Sequence, residues 1–336
     1  MAIVRRNILA DPATLQRFAE GVNRLKADFS SGVTTQTLGF SSSQPIPVSA
    51  YDQFVIWHFV AMNIPTPDPQ GLNPRDRNAA HRGSIFLPWH RFMLRLFELH
   101  LQRVLEDPEF GLPYWDWAFA ENTPFDQQVN SALWQETGIG GSGFPVIDGP
   151  FGFSEDPQQR RFAVFFAQDL WTGAFTFYPD GRGLLRRLGE SSQAPGLPTT
   201  MQVTQALQSQ SLYDAPDWDA ASEGFRNLLE GWVTGAGSSP PGLHNRVHAW
   251  VGGDMGVGTS PNDPVFYLNH CNVDRLWEAW MIERGRTYLP DETSPGAPVR
   301  HRLNDPITSL VTTVTRRPAD LLDVADLYTY DALPDV

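Results

Sequence analysis

The histidines of this 336-residue chain constrain its fold and chemistry more than any other feature. Six of the eight histidines fall into two groups, one in the first third of the sequence and one in the last third. These are His58, His81 and His90, and His244, His248 and His270. Three imidazoles are a ligand set for one metal ion. The two groups therefore predict a pair of metal ions held by segments far apart in the sequence.

Composition excludes several other classes of protein. The formal net charge of −13 disfavours binding to nucleic acid or to an anionic membrane surface. Cys271 is the only cysteine, so no disulfide can form within the chain. No apolar run reaches membrane-spanning length, and the first residues do not form a signal peptide. We expect a protein that is cytoplasmic or exported with a partner.

Hydrophobic spacing of 3.6 residues predicts mostly helix, with long loops where the 28 glycines and 28 prolines cluster. One segment, 309–315, is rich in β-branched residues and predicts a short strand. No repeat or linker divides the chain, so we expect a single domain over 1–336. Helices are predicted over 13–27, 49–62, 88–106, 198–210, 225–232, 244–251 and 264–283.

The predicted helices place the histidines where they can share ions. His58 falls inside a helix, His81 on a loop, and His90 near the start of the helix that Pro88 opens. His244 and His248 are four residues apart, so one helix presents both on the same face. Facing helices in a bundle are a common way to build a site for two metal ions.

The ligand type narrows the choice of metal. Imidazole suits zinc, copper, iron and nickel. Di-iron bundles use glutamates beside their histidines, and neither group has an adjacent carboxylate. A three-histidine zinc centre remains an alternative for one ion. Two such centres sharing a core favour copper, and neutral ligands leave a positive charge that favours a bridging anion.

Four segments carry a resemblance to a known family. The sequence resembles the tyrosinase family of type 3 copper proteins, most closely its Streptomyces-like bacterial members. The similarity extends over most of the chain apart from an insertion at 154–178. The segments are HRGSIFLPWHRFMLRLFE (81–98), LPYWDW (112–117), GLHNRVHAWVGG (242–253) and SPNDPVFYLNHCNVDRLW (260–277).

The resemblance implies a mainly α-helical fold, a four-helix bundle holding two copper ions, with long loops and a few short strands. The first histidine group would bind one copper and the second group the other. The implied reaction is the oxidation of monophenols and o-diphenols to o-quinones by O2. It also implies a small helper protein for copper loading. Because the sequence ends soon after the tyrosine motif at 328–330, we expect no C-terminal shielding domain.

The resemblance also suggests roles for residues around the ligands. It implies that Glu230 and Asn245 hold a water that accepts a phenol proton. Ala249, directly after His248, is expected at the mouth of the substrate pocket. Gly253 and Thr259 belong to a glycine-rich loop that is expected to form one wall of that pocket.

Helical spacing suggests two supporting residues for His270. Phe266, one turn before it, is expected to stack on the imidazole ring. Asp274, one turn after it, is a candidate to orient the ring. An ion pair between Asp274 and Arg275 or another arginine is an equally good interpretation.

Because the sequence departs from the family pattern at several positions, it does not determine the substrate. Asn269 stands where many relatives have histidine, and Ala79 stands where some have a cysteine that crosslinks to the second ligand. Cys271 beside a ligand is interpreted as a small buried residue. The alternatives are an o-aminophenol oxidase, a catechol oxidase without monophenolase activity, a hemocyanin-like O2 carrier and a zinc-binding structural protein.

Overall fold

The helices and strands follow the predicted pattern closely in a computed structural model, which describes residues 3–41, 44–68, 77–233 and 242–336. The helices are α1 (Pro12–Ala27), α2 (Ala50–Met62), α3 (Phe86–Leu105), α4 (Phe125–Val129), α5 (Thr200–Ser209), α6 (Phe225–Glu230), α7 (Leu243–Val251) and α8 (Val265–Arg284). The strands are β1 (Ile3–Arg5), β2 (Val164–Gln168), β3 (Phe175–Arg182) and β4 (Tyr328–Tyr330).

Helices α2, α3, α7 and α8 form the bundle that carries the histidines. Almost every residue of α2 and α8 is buried, so these two helices lie at the centre. The amphipathic helix α3 packs between α1 and α8, and α7 packs against α6 and α8. None of the described helices combines the length and apolar character needed to cross a bilayer.

Local capping explains where the bundle helices begin and end. The Ser49 side chain accepts a hydrogen bond from the backbone N–H of Asp52, which starts α2 at the predicted residue. Helix α8 ends at Gly285, whose φ of 86° is a left-handed conformation that glycine adopts at little cost.

Buried ion pairs hold α3 against α8. Arg91 on α3 donates to Asp274 at 2.5 Å and to Glu278 at 3.1 Å, both on α8. Arg5 on β1 joins the same cluster by donating to Glu98 and to Asp274. Every one of these side chains is at most 8% exposed. Because breaking a buried ion pair is costly, these contacts hold α3 and α8 in one relative position.

The strands form two small sheets. Parallel pairing of β1 with β4 aligns Ile3 with Tyr328. The segment 154–178, which the sequence predicts to be an insertion, contains β2 and the start of β3, and these form an antiparallel hairpin. The predicted strand at 309–315 is wrong: one isolated bridge joins Ile307 to Arg316, and the segment between them is irregular. Its residues are half-buried or exposed. None of the described strands pairs with this segment, so its β-branched side chains gain no cross-strand contacts.

Candidate metal centre

The first histidine group comes together at one end of α2 and α3. His58 lies in the middle of α2, His90 in the second turn of α3, and His81 on the loop before α3, as predicted. Asn78 shapes that loop, because its side-chain oxygen accepts from the backbone N–H groups of Ala80 and His81. All three histidines are buried, with ring centroids 4.7 to 5.7 Å apart.

In two of these three rings, a backbone carbonyl determines which nitrogen faces the centre. His58 Nδ1 lies 2.7 Å from the carbonyl oxygen of Gly258, and His90 Nδ1 lies 2.8 Å from that of Phe86. A carbonyl only accepts, so each Nδ1 carries the proton and each Nε2 keeps a lone pair. Both Nε2 atoms are buried without a hydrogen-bond partner among the described residues.

The second group converges in the same way. His244 and His248 project from one face of α7 toward His270 on α8. The Nε2 of His270 lies 3.1 Å from that of His244 and 3.4 Å from that of His248. These separations suit three nitrogens that each lie about 2 Å from one ion. Carbonyls again hold Nδ1, since His244 donates to Glu230 O at 3.1 Å and His248 to Met255 O at 2.7 Å.

The two groups face each other directly. His90 and His270 stack with ring centroids 4.1 Å apart and 15° between their planes. Within each group the ligand atoms lie within 4.8 Å of one another, which is compatible with one metal ion per group. Phe86 packs against both His90 and His244, so an aromatic ring contacts both histidine groups.

Burial keeps these imidazoles neutral. It lowers the pKa of His58 to about 3 and that of His248 to about 4. The pKa values of the other four histidines also fall well below the usual value, because burial and the neighbouring histidines disfavour the charged form. Six neutral imidazoles, four of which have Nδ1 held by a backbone carbonyl, fit two metal cations without prior loss of protons.

Glu230 makes hydrogen bonds next to a histidine of the first group and with a histidine of the second. Its carboxylate accepts from the backbone N–H of Arg82 at 2.7 Å and from Arg226 Nη1 at 2.9 Å. Arg82 directly follows a ligand of the first group, and the backbone carbonyl of Glu230 accepts from His244 in the second. The Glu230 side chain is fully buried, and burial raises the pKa of its carboxyl while Arg226 opposes that rise.

Asn245 lies beside the same histidine. Its side-chain oxygen is 3.1 Å from His244 Nδ1, so it shares that proton with the Glu230 carbonyl. Its amide nitrogen, although buried, has no hydrogen-bond partner in the described part of the chain. The Asn245 amide therefore has a donor available for a bound water or substrate.

The structure corrects part of the predicted pocket wall. Gly253 is buried, and a Cβ there would lie 2.0 Å from the Leu185 carbonyl oxygen, so its small size serves packing between segments. Thr259 is fully buried, and its hydroxyl accepts from the backbone N–H of Gln168. Neither residue presents surface to an open pocket. Ala249 is half-buried beside the half-buried His248, where its small side chain leaves space.

The two predicted supporting residues of His270 have different outcomes. Phe266 packs on the His270 ring at 4.1 Å between centroids, the contact that one-turn spacing predicts. Asp274 does not orient His270, and that interpretation is wrong. Its carboxylate instead accepts from Arg5, Arg91 and two tyrosines, which leaves His270 Nδ1 without a partner among described groups.

The departures from the family pattern lie inside the core. Cys271 is fully buried, donates toward the Leu112 carbonyl oxygen, and has its pKa raised to about 12 by burial. Asn269 is also fully buried, and neither end of its amide has a hydrogen-bond partner within the described ranges. Ala79 is buried at the edge of a small apolar cavity lined also by Trp57 and Trp89.

Several contributors to the site leave no mark in the sequence. The carbonyl groups of Gly258 and Met255 orient one histidine of each group. Every residue has a carbonyl, so no residue type signals this role. Arg226, which balances the Glu230 charge, carries a weak signal because it is one helical turn before that glutamate.

Comparisons with known proteins identify relatives along most of the chain. A family model described as the common central domain of tyrosinase matches residues 48–283. The tyrosinase of Streptomyces glaucescens is 39% identical over 287 residues, covering 84% of this chain and 88% of that protein. The grixazone synthase of Streptomyces griseus is 36% identical over 296 residues, covering 84% of this chain and 90% of that protein.

A solved structure agrees on the fold. A polyphenol oxidase from Thermothelomyces thermophila matches 99% of this chain and 89% of its own length with a TM-score of 0.66. The sequence identity is 19%, so this similarity concerns the arrangement of the helices alone.

Proposed function

The chain belongs to the tyrosinase family, and we propose that it is a dicopper oxidase that converts phenols to o-quinones with O2. The observation that carries the proposal is the pair of facing three-histidine groups, in which backbone carbonyls hold Nδ1 of four rings and leave Nε2 of those rings as the ligand atom. His58, His81 and His90 would hold one copper. His244, His248 and His270 would hold the other.

The donor set fits copper on chemical grounds. Neutral imidazole nitrogens are good copper ligands, and their Nδ1 protons are committed to carbonyls for four of the six rings. When bound, the two ions supply Lewis acidity, a binding place for O2 and the redox capacity for the reaction. The protein supplies rigid ligand positions and a water-poor surrounding.

We propose that Glu230 and Asn245 hold a water that accepts the proton of the phenol. A phenol loses its proton before its oxygen can bind a metal cation well. The Asn245 amide has a free donor and the Glu230 carboxylate has unused lone pairs, so the two can hold one water between them. That water would take the phenol proton, and the Glu230 charge would stabilise the hydronium-like state.

An open approach to His248 supports a small aromatic substrate. His248 is the least buried of the six ligands, and Ala249 beside it is small. A phenol ring can therefore approach from this side. An o-aminophenol has the same shape and also carries adjacent polar groups. The similarity to grixazone synthase makes o-aminophenol oxidation the second candidate function.

Copper loading and turnover test the proposal together. The purified chain, loaded with copper, should bind two ions and develop an intense near-ultraviolet band when hydrogen peroxide is added, because the two ions then share a ligand. Turnover of a monophenol, a catechol and an o-aminophenol is then compared. Two bound coppers without that band would contradict a shared centre.

The substrate comparison separates the alternatives. Turnover of the catechol but not of the monophenol would contradict the role of Glu230 and Asn245. Preference for the o-aminophenol would favour the second candidate function. Reversible O2 binding without turnover of any of the three would contradict an oxidase. Copper content after expression with and without a small helper protein tests the proposed need for one.

A further inference from the structure

The inserted hairpin touches the loop that orients the metal ligands. Gln168, the last residue of β2, makes two hydrogen bonds to that loop and one within the hairpin. Its side-chain oxygen accepts from the backbone N–H of Gly258 at 2.9 Å, and its own backbone N–H donates to Thr259 Oγ1 at 3.0 Å. Its side-chain nitrogen donates to the Gly173 carbonyl at 3.0 Å, within the turn of the hairpin.

The loop that Gln168 contacts serves both histidine groups. The Gly258 carbonyl accepts from His58 Nδ1, and the Met255 carbonyl accepts from His248 Nδ1, each at 2.7 Å. One ligand of each proposed copper therefore takes its ring orientation from the same short segment. A shift of this segment would rotate the Nε2 atoms of both rings.

Glycine makes this segment dependent on outside support. Gly256 and Gly258 have no Cβ to restrict their backbone angles, so the loop sequence does not by itself determine where its carbonyls point. The amide and carbonyl of Gly258 flank the same Cα. Holding the amide against Gln168 therefore restricts the carbonyl that His58 needs. A Cβ on Gly258 would lie 2.9 Å from the Gln168 side-chain oxygen, so only glycine allows this approach without displacement.

The hairpin is itself anchored firmly enough to act as a support. Asn262 donates from its side chain to the Phe166 carbonyl at 2.7 Å. The Phe166 ring packs on Phe59 of α2 and on Phe40, with centroids 5.1 and 5.7 Å apart. Phe166 is fully buried, so β2 is part of the core next to the helix that carries His58.

We propose that Gln168 is a positioning residue that holds the Met255–Thr259 loop so that His58 and His248 keep their metal-binding orientation. The inference rests on the proposed dicopper function. Because Gln168 binds Gly258 directly and Met255 only through the loop, its loss should affect the His58 group first. Removing groups that orient metal ligands typically lowers metal affinity about 10- to 100-fold. Gln168 acts through one more residue, so about tenfold is expected.

Three variants of the full chain, with a fourth as a substitute, test this role. Gln168→Met keeps the length of the side chain and removes both polar atoms. Gln168→Glu keeps an oxygen that can accept from Gly258 but loses the donor to the Gly173 carbonyl, so it should restore most of the copper retention. Gln158→Ala, at an exposed position of the same insertion, is the control. Gln168→Ala also removes both polar atoms but leaves a smaller side chain. It replaces Gln168→Met if the methionine variant does not fold.

Copper retention is the main measurement. Each copper-loaded variant is mixed with a chelator, and release is followed spectrophotometrically, with electron paramagnetic resonance reporting any isolated Cu(II). Gln168→Met should lose its first copper about tenfold faster than the unmodified chain and pass through a species with one Cu(II). Gln168→Glu should stay within about twofold, and Gln158→Ala should be unchanged. Thermal unfolding of the copper-free variants checks that each is folded.

The outcomes distinguish this inference from the function on which it rests. If the unmodified chain binds two coppers and Gln168→Met releases both at the same rate as the unmodified chain, the role of Gln168 is refuted alone. Equal losses in Gln168→Met and Gln168→Glu would also refute it, since the retained acceptor would then be irrelevant. An unmodified chain that holds fewer than two coppers would overturn both proposals.

Discussion

Replacing Glu230 with glutamine removes a buried negative charge and the acceptor of one Arg226 hydrogen bond, and it keeps the length of the side chain. The amide keeps an oxygen that can accept from the Arg82 backbone N–H, which the carboxylate now does at 2.7 Å. The backbone carbonyl that holds His244 is also retained. Glu230→Gln therefore tests the charge assigned to proton transfer while leaving the ligand geometry intact.

The substitution should have two separate effects, one on the free energy of folding and one on kcat for a monophenol, and the structure indicates the size of each. Removing one partner of a buried ion pair typically costs about 3–5 kcal/mol of folding free energy. Arg226 keeps its two contacts with Asp214, so the lower end, about 3 kcal/mol, is expected. Loss of a general base typically lowers the rate about 10²- to 10⁴-fold. We expect kcat for a monophenol to fall about 100-fold at the least, and kcat for a catechol to stay within about threefold.

Asp214→Asn provides the matched control. Asp214 is the other carboxylate on Arg226, fully buried and hydrogen-bonded to the Ser84 hydroxyl at 2.6 Å. This variant should lose similar stability, measured by urea unfolding, without changing the ratio of monophenol to catechol turnover. Steady-state kinetics on both substrates gives that ratio. Equal loss of both activities in Glu230→Gln, or the same ratio change in Asp214→Asn, would refute the role of the Glu230 charge in proton transfer.

Three further predictions concern the ligands and their support. His270→Ala should leave a folded chain, judged by circular dichroism, that binds less copper and has no oxidase activity; retained turnover would contradict its role as a ligand. Asp274→Asn leaves Arg5 and Arg91 without their shared carboxylate charge and should cost about 3 kcal/mol in urea unfolding; a loss below about 1 kcal/mol would show that this cluster does not hold α3 to α8. Cys271 is fully buried, so a thiol reagent should label it only after denaturation, and labelling of the native chain would contradict that burial.

The helices could be predicted from the sequence because their signals are local. Hydrophobic spacing, the Ser49 cap and Pro88 placed the starts of α2 and α3 within two residues of their observed positions. The failed strand at 309–315 shows the limit of local signals. β-branched residues favour a strand only when a neighbouring strand is present, and the tertiary structure provides none there.

The supporting contacts of the site could not be predicted in the same way. Asp274 is one turn from His270, so spacing alone allowed it to orient that ring. Its actual partners, Arg5 and Arg91, come from β1 and α3, and the guanidinium charges outcompete a neutral imidazole for a buried carboxylate. Gln168 lies in the predicted insertion, outside the four segments that carry the family resemblance.

The sequence by itself determined the inventory of candidate ligands: six histidines in two groups, five of them on helices and His81 on a loop. Residue type and helical period are local properties, so they are readable without the fold. Only the tertiary structure decided how His58, His244 and His248 are oriented, because their acceptors at Gly258, Glu230 and Met255 are backbone carbonyls of other segments. All residues carry that group, and its effect depends on which segments the fold brings within hydrogen-bond distance.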